Sequence, residues 1–193
     1  MPEPLILAST SRYRRELLER LGVPFTCVAP RCDEEALKDP ALAPQALAEH
    51  LALAKAESLR AESPQAVIIG GDQVCEHDGE LLGKPGTVDG ACRQLARLSG
   101  SRHRLITALV VLQGREVHRH TAIAELHMRT LDAQQIRRYV ERDQPLDCAG
   151  AYKLERGGIA LFGAITSDDH SAITGMPLLA LVRILSRLGY QLP

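Results

Sequence analysis

Aromatic side chains are scarce in this 193-residue chain, with four Tyr, two Phe and no Trp. An aromatic residue outside an apolar stripe is therefore conspicuous. Charge of one sign is not in excess either: 24 acidic residues face 23 Lys and Arg, for a formal net charge of −1. That balance argues against a general nucleic-acid or anionic-membrane surface and leaves room for a local basic pocket. Apolar runs are too short for a signal peptide or a membrane span, and Met1-Pro2-Glu3-Pro4 has no basic segment, so a cytoplasmic protein is expected. The five cysteines (Cys27, Cys32, Cys75, Cys92, Cys148) are odd in number and contain no C-x-x-C pair. Reduced thiols are expected rather than a disulfide framework or a zinc site. His118 and His120 share a strand face, but apart from Glu116 no supporting ligand lies nearby, and the reading is a polar strand face. With no repeat, low-complexity tract or long linker, residues 1–193 read as one domain.

Gly and Pro punctuate the elements. A short apolar run Leu5-Ile6-Leu7-Ala8 precedes a helical pattern marked by Leu17, Leu18 and Leu21, and Gly22 and Pro24 lead to a second apolar run from Phe25 to Ala29. Pro44 starts a helix whose stripe is Leu47, Leu51, Ala54 and Ser58, with Lys55 at its edge. Ala66-Val67-Ile68-Ile69 reads as a buried strand delivering Gly70-Gly71-Asp72-Gln73 at its C-terminal end, and Asp78-Gly79 suits a hairpin turn. Helices are expected over 89–98, 132–141 and 177–188, and paired strands over 105–112 and 116–128. The fold class is α/β with a mixed sheet and flanking helices.

Ser9-Thr10-Ser11-Arg12-Tyr13-Arg14-Arg15 sits where a strand gives way to a helix. Free backbone N–H groups, hydroxyls and guanidinium groups converge at such a point, which suits a polyphosphate; Ser9, Arg14 and Arg15 are the candidate contacts. No Gly-Lys-Ser/Thr follows, so this is not a Walker loop. The same residues also read as a plain helix cap with solvated arginines.

Asp72 is the candidate catalytic carboxylate, with an Asx turn as its alternative. Glu34, in the acidic loop Cys32-Asp33-Glu34-Glu35, is a candidate to join Asp72 around a hard divalent ion. Lys55 and Lys84, with Arg14, are cations available to neutralise phosphate oxygens.

A family resemblance gives these separate residues a common meaning. Leu5–Ser11 followed by Arg14-Arg15-Glu16-Leu17-Leu18 resembles the S-x-S-x-x-R opening of the Maf nucleotide pyrophosphatases. It extends through Cys32-Asp33-Glu34, Ala54-Lys55-Ala56, Ile69–Val74, Gly83-Lys84-Pro85, Leu98-Ser99-Gly100, Pro145–Tyr152 and Gly175-Met176-Pro177-Leu178. Arg12 departs from the proline common at its position. The resemblance implies an inosine-triphosphatase-like α/β fold with a twisted mixed sheet, two lobes around a central cleft, and a homodimer. It also implies metal-dependent hydrolysis, with Mg²⁺ or Mn²⁺, of a nucleoside triphosphate between its α and β phosphates. Asp72 then corresponds to the proton acceptor, and Ser9, Arg14, Glu34, Lys55 and Lys84 surround the phosphates and metal.

Within that family, the residues matching Tyr13, Gln73 and Glu155 separate pyrimidine-selective members, with Arg, Thr and Gln, from members acting on 7-methyl-GTP. This chain resembles the latter. An aromatic face suits the delocalised positive charge of 7-methylguanine, and a carboxylate suits the donor-rich guanine edge. The alternatives are a dTTP, UTP or broader modified-nucleotide pyrophosphatase, and a nucleotide-sensing regulator of cell division.

Overall fold

The computed structural model describes residues 3–192; Met1 and Pro2, part of the N-terminal reading above, and Pro193 lie outside them. The chain runs β1 (Leu5–Ala8), α1 (Arg12–Glu19), β2 (Thr26–Val28), α2 (Pro44–Glu57), β3 (Val67–His77), β4 (Glu80–Leu82) and α3 (Val88–Leu98). It continues through β5 (Arg102–Gln113), β6 (Glu116–Met128), α4 (Ala133–Asp143), a 3₁₀ turn (Gly157–Leu161), β7 (Phe162–Thr166), α5 (His170–Ile173) and α6 (Leu178–Arg187). Hydrogen-bonded order in the sheet is β2-β1-β3-β5-β6-β7, with β4 on β3. The β1 pairings with β2 and β3 are parallel, and β3/β4 and β6/β7 are antiparallel, so the sheet is mixed, as expected. Among the described residues no helix is long and apolar enough to cross a membrane.

Two compact units share these elements. The first comprises residues up to Gln73, Thr107–Ala122 and the chain from Asp169 onward. Its core gathers Leu5, Leu7, Val67, Ile69, Leu109 and Val111 from the strands with Leu17 and Leu18 of α1 and Leu181, Ile184 and Leu185 of α6. Strand residues two apart share a face, so Val67 and Ile69 serve this cluster while Ile68 and Gly70 face the other way, toward α2. A Cβ on Gly70 would lie 2.3 Å from the Ala52 carbonyl oxygen and 2.8 Å from Ala56 Cβ, so only glycine admits α2 so close. The buried residues of α2 are Leu47, Ala48, Leu51, Ala52, Lys55 and Ala56. This corrects the expected stripe: Ala52 and Ala56, not Ala54 and Ser58, contact the strand, because the small side chains are needed where the backbone comes nearest. Lys55 is accordingly inside the stripe.

The second unit comprises Val74–Ile106 and Ile123–Asp168. Asp78 and Gly79, with φ of 52° and 81°, make the β3/β4 turn that Asp-Gly predicts. A capping box starts α4, in which Asp132 accepts from the Gln135 N–H at 2.8 Å and Gln135 Oε1 accepts from the Asp132 N–H at 2.9 Å. Tyr152, Phe162 and His103 form a tilted aromatic cluster with centroids 4.9 to 5.9 Å apart. Tyr152 Oη lies 2.9 Å from His103 Nε2, while His103 Nδ1 is buried without a partner among the described residues.

Burial pulls the His103 pKa down to about 4, with the neighbouring His77 acting in the same direction and Glu76 against it. The imidazole is thus folded neutral. As pH falls below about 6.5 the unfolded chain takes up the proton first, so this group's contribution is present above that pH and is lost toward pH 4. We expect unfolding free energy to drop between pH 7 and pH 4 by up to about 3 kcal/mol more in the wild type than in His103→Gln. Urea unfolding curves at the two pH values measure it, and identical drops would dismiss His103 as their source.

Candidate active site

Asp72 does not end a strand, as the sequence suggested; β3 continues to His77 because Cys75, Glu76 and His77 pair with β4. The idea behind the expectation survives in another form. β1 stops at Ala8, and its register with β3 runs from Leu5↔Val67 to Leu7↔Ile69, so Asp72 lies beyond the carboxyl end of the neighbouring parallel strand. The alternation that turns Gly70 toward α2 also turns Asp72 that way, to Lys55.

Lys55 is 5% exposed and Asp72 is 8% exposed. Lys55 Nζ donates to Asp72 Oδ1 at 2.7 Å and is 2.8 Å from Glu34 Oε2. Glu34 is presented by a turn in which Asp33 Oδ1 accepts from the N–H groups of Glu35 and Ala36, at 3.1 and 3.2 Å. One ammonium thus joins two carboxylates, leaving Asp72 Oδ2 and Glu34 Oε1 without a hydrogen bond from any described residue. Lys55 holds the Asp72 carboxylate in orientation with one oxygen in use and the other available.

Arg14 feels the charge of the same carboxylates without pairing with either. Its Nε donates to the Gly175 carbonyl at 2.9 Å, and its side chain runs beside Gly71, where an added Cβ would be 3.4 Å from Nε. Burial lowers its pKa, and the charges of Asp72 and Glu34 oppose that effect. Gly175 has φ of 114°, a conformation only glycine adopts readily, which is why this residue type begins Gly175-Met176-Pro177. Ser11 caps α1 with a long contact of 3.4 Å from the Arg14 N–H, and buried Ser9 Oγ accepts from the Ser11 N–H at 3.1 Å. Arg15 is exposed and pairs with Glu19 at 3.1 Å, so its contacts do not tie it to this group.

Gln73, on the opposite face of β3, has a different set of partners. Its Nε2 lies 2.8 Å from Thr107 Oγ1, 2.9 Å from the Ala172 carbonyl and 3.2 Å from the Ile173 carbonyl. Tyr13, half-buried at the start of α1, carries the Arg12 guanidinium over its ring, 4.9 Å from the centroid. Lys84 and Glu155 belong to the second unit and are both exposed. Lys84 follows Gly83, whose carbonyl accepts from Gln94 Nε2 at 2.8 Å; Glu155 sits in a turn closed by the Arg156 and Gly158 N–H groups on the Lys153 carbonyl, at 3.1 and 3.0 Å. Among the described residues no group of three or more His, Cys, Asp and Glu gathers as a metal cluster.

The sequence signature of the Maf-like protein family matches residues 4–188. The chain belongs to the Maf family. It is 50% identical over 186 residues to a 7-methyl-GTP pyrophosphatase of Bdellovibrio bacteriovorus, covering 96% of this chain and 97% of that one. A 7-methyl-GTP pyrophosphatase of Xanthomonas axonopodis pv. citri is 47% identical over 190 residues, covering 98% of both chains. One from Bordetella pertussis is 47% identical over 191 residues, covering 98% of this chain and 94% of its own.

Sequence reasoning missed the supports of this Maf site: Thr107, the Ala172 and Ile173 carbonyls, and the Gly175 carbonyl. Thr107 had a signal, as the single hydroxyl in the apolar run 105–112. The carbonyls had none, since a backbone acceptor leaves no trace in residue type.

Removing one partner from a buried pair leaves the other charge uncompensated. Lys55→Met is therefore expected to destabilise the protein by about 3 kcal/mol. Glu34→Gln, at a half-exposed partner, should cost about 1 kcal/mol or less. Urea unfolding midpoints test the ranking, and equal effects would show that the Lys55–Asp72 pair is not the dominant contact.

Proposed function

We propose that the protein hydrolyses 7-methyl-GTP to 7-methyl-GMP and pyrophosphate. The observation that carries the chemistry is the Asp72 carboxylate, held at Oδ1 by Lys55 with Oδ2 available. The nucleotide comes from the full-length similarity to enzymes bearing that name.

In this mechanism Asp72 Oδ2 takes a proton from water as the water oxygen bonds to the α phosphorus. The bond from that phosphorus to the α–β bridging oxygen breaks, and pyrophosphate leaves with the bonding pair. Arg14 offsets charge on the phosphate oxygens, with Ser9 and the start of α1 as further contacts. Arg15 belongs to the same proposal through its position in the opening motif. For Lys84 and Glu155 the assignment, to phosphate charge and to the guanine edge, rests on the family correspondence alone. Glu34 and Asp72 are the residues that would hold a divalent ion. Hard carboxylate oxygens, with Glu34 Oε1 unused by Lys55, suit Mg²⁺ or Mn²⁺, which draw their remaining ligands from phosphate and water. Such an ion would supply neutralisation of the triphosphate charge. A homodimer in the cytoplasm is part of the same proposal.

Tyr13 supplies an aromatic face to the cationic base, an attraction of roughly 0.5–2 kcal/mol. Arg12 already lies on one side of that ring, so the base stacks on the other or displaces Arg12.

A panel of 7-methyl-GTP, GTP, dTTP and UTP tests the reading by pyrophosphate release. We expect 7-methyl-GTP to have the highest kcat/KM, Tyr13→Ala to narrow its margin over GTP, and Asp72→Asn to lower kcat by about 10²–10⁴-fold with the fold intact. A dTTP or UTP preference would move the assignment to the pyrimidine type, and binding without pyrophosphate release would favour a sensor. Chelation should abolish turnover and Mg²⁺ or Mn²⁺ restore it; undiminished activity after thorough demetallation would remove the ion from the account.

A further inference from the structure

The Gln73 side-chain amide has its orientation decided by its surroundings. Two of the three oxygens around Nε2 are the Ala172 and Ile173 carbonyls, which only accept, so the NH₂ group must face them. Turning the amide over would set its oxygen against both. The third oxygen belongs to Thr107, which is 1% exposed and whose Oγ1 lies 2.9 Å from the Ala172 carbonyl. That carbonyl can only accept, so the single hydroxyl proton goes to it, and the Thr107 lone pairs are left to accept from Gln73. Gln73 Oε1, by contrast, receives no hydrogen bond from any described residue.

We propose that Thr107 is a positioning residue for base selection: as a third acceptor on the Gln73 NH₂ group, beside the Ala172 and Ile173 carbonyls that set its orientation, it helps hold the amide so that a carbonyl oxygen, and not an NH₂ group, is offered to the nucleotide. This rests on the reading of Gln73 as a base-selecting residue. The ligand group it fits is an N–H donor, such as guanine N1–H or its exocyclic amine, whereas a carbonyl at the same place would meet lone pair with lone pair. A freely turning amide would serve either kind of base. Fixing it converts an ambivalent side chain into a discriminating one, and the locking group touches no substrate itself.

A double-mutant cycle with Thr107→Val and Gln73→Leu separates this role from general support of the fold. The cycle is run on whichever nucleoside triphosphate the wild type turns over best, so a failure of the 7-methyl-GTP reading would be seen separately in the wild-type panel. With Gln73 present, Thr107→Val should lower kcat/KM by about five-fold, the weight of one ordinary hydrogen bond, mainly through KM. In the Gln73→Leu background the same change should have no further effect, and Thr107→Ser should keep wild-type values. Thr107→Ala repeats the cycle without a branched methyl group, and melting temperatures confirm that each variant is folded. Equal losses in both backgrounds, or no loss with Gln73 present, would overturn the proposal.

Discussion

The charged half of the candidate site depends on one buried ion pair, Lys55 with Asp72. Taking an ammonium and a carboxylate out of water costs several kcal/mol per ion, and their attraction offsets this only when the geometry is close. Here α2 lies against β3 through Ala52, Ala56 and Gly70, so a lysine on that helix meets a carboxylate on that strand directly. The small residues are therefore part of the electrostatics. A larger side chain at 70 would lift the helix and leave two charges half-desolvated and apart. A second carboxylate, Glu34, shares the same ammonium from a turn that remains half-exposed.

Strand alternation then divides the labour. Asp72 turns toward α2 and the charged group, while Gln73, one residue on, turns to the opposite face and is anchored on α5. The segment from Asp169 to Leu178 serves both. Its Ala172 and Ile173 carbonyls hold Gln73, and its Gly175 carbonyl holds Arg14. Asp169 and Ser171 tie the segment down, accepting from the N–H groups of Leu179 and Leu178, each at 2.8 Å. One short stretch of backbone thus sets a group assigned to the base and a group assigned to phosphate.

Much of this was legible in the sequence. The hairpin at Asp78-Gly79, the helix starting at Pro44 and the paired strands read over 105–112 and 116–128 follow from turn chemistry and hydrophobic period, which are local signals. Asp72 and Lys55 were singled out by residue type, and the family motifs connected them across 17 positions. The course of β3 was misread because Gly70-Gly71 looks like the end of a strand; the glycines are there for the approach of α2 and Arg14 instead. Arg15 looked equivalent to Arg14, yet on a helix adjacent residues point about 100° apart, and only Arg14 turns inward. The backbone carbonyls that orient Gln73 and Arg14 come from far along the chain and carry no residue signature at all.

The central claim is cleavage between the α and β phosphates, driven by water that Asp72 deprotonates. Phosphorus NMR of a 7-methyl-GTP digest in water enriched in oxygen-18 tests it directly. The account predicts 7-methyl-GMP and pyrophosphate in equal amounts, with the label on the monophosphate; 7-methyl-GDP with orthophosphate, or label on pyrophosphate, would contradict it.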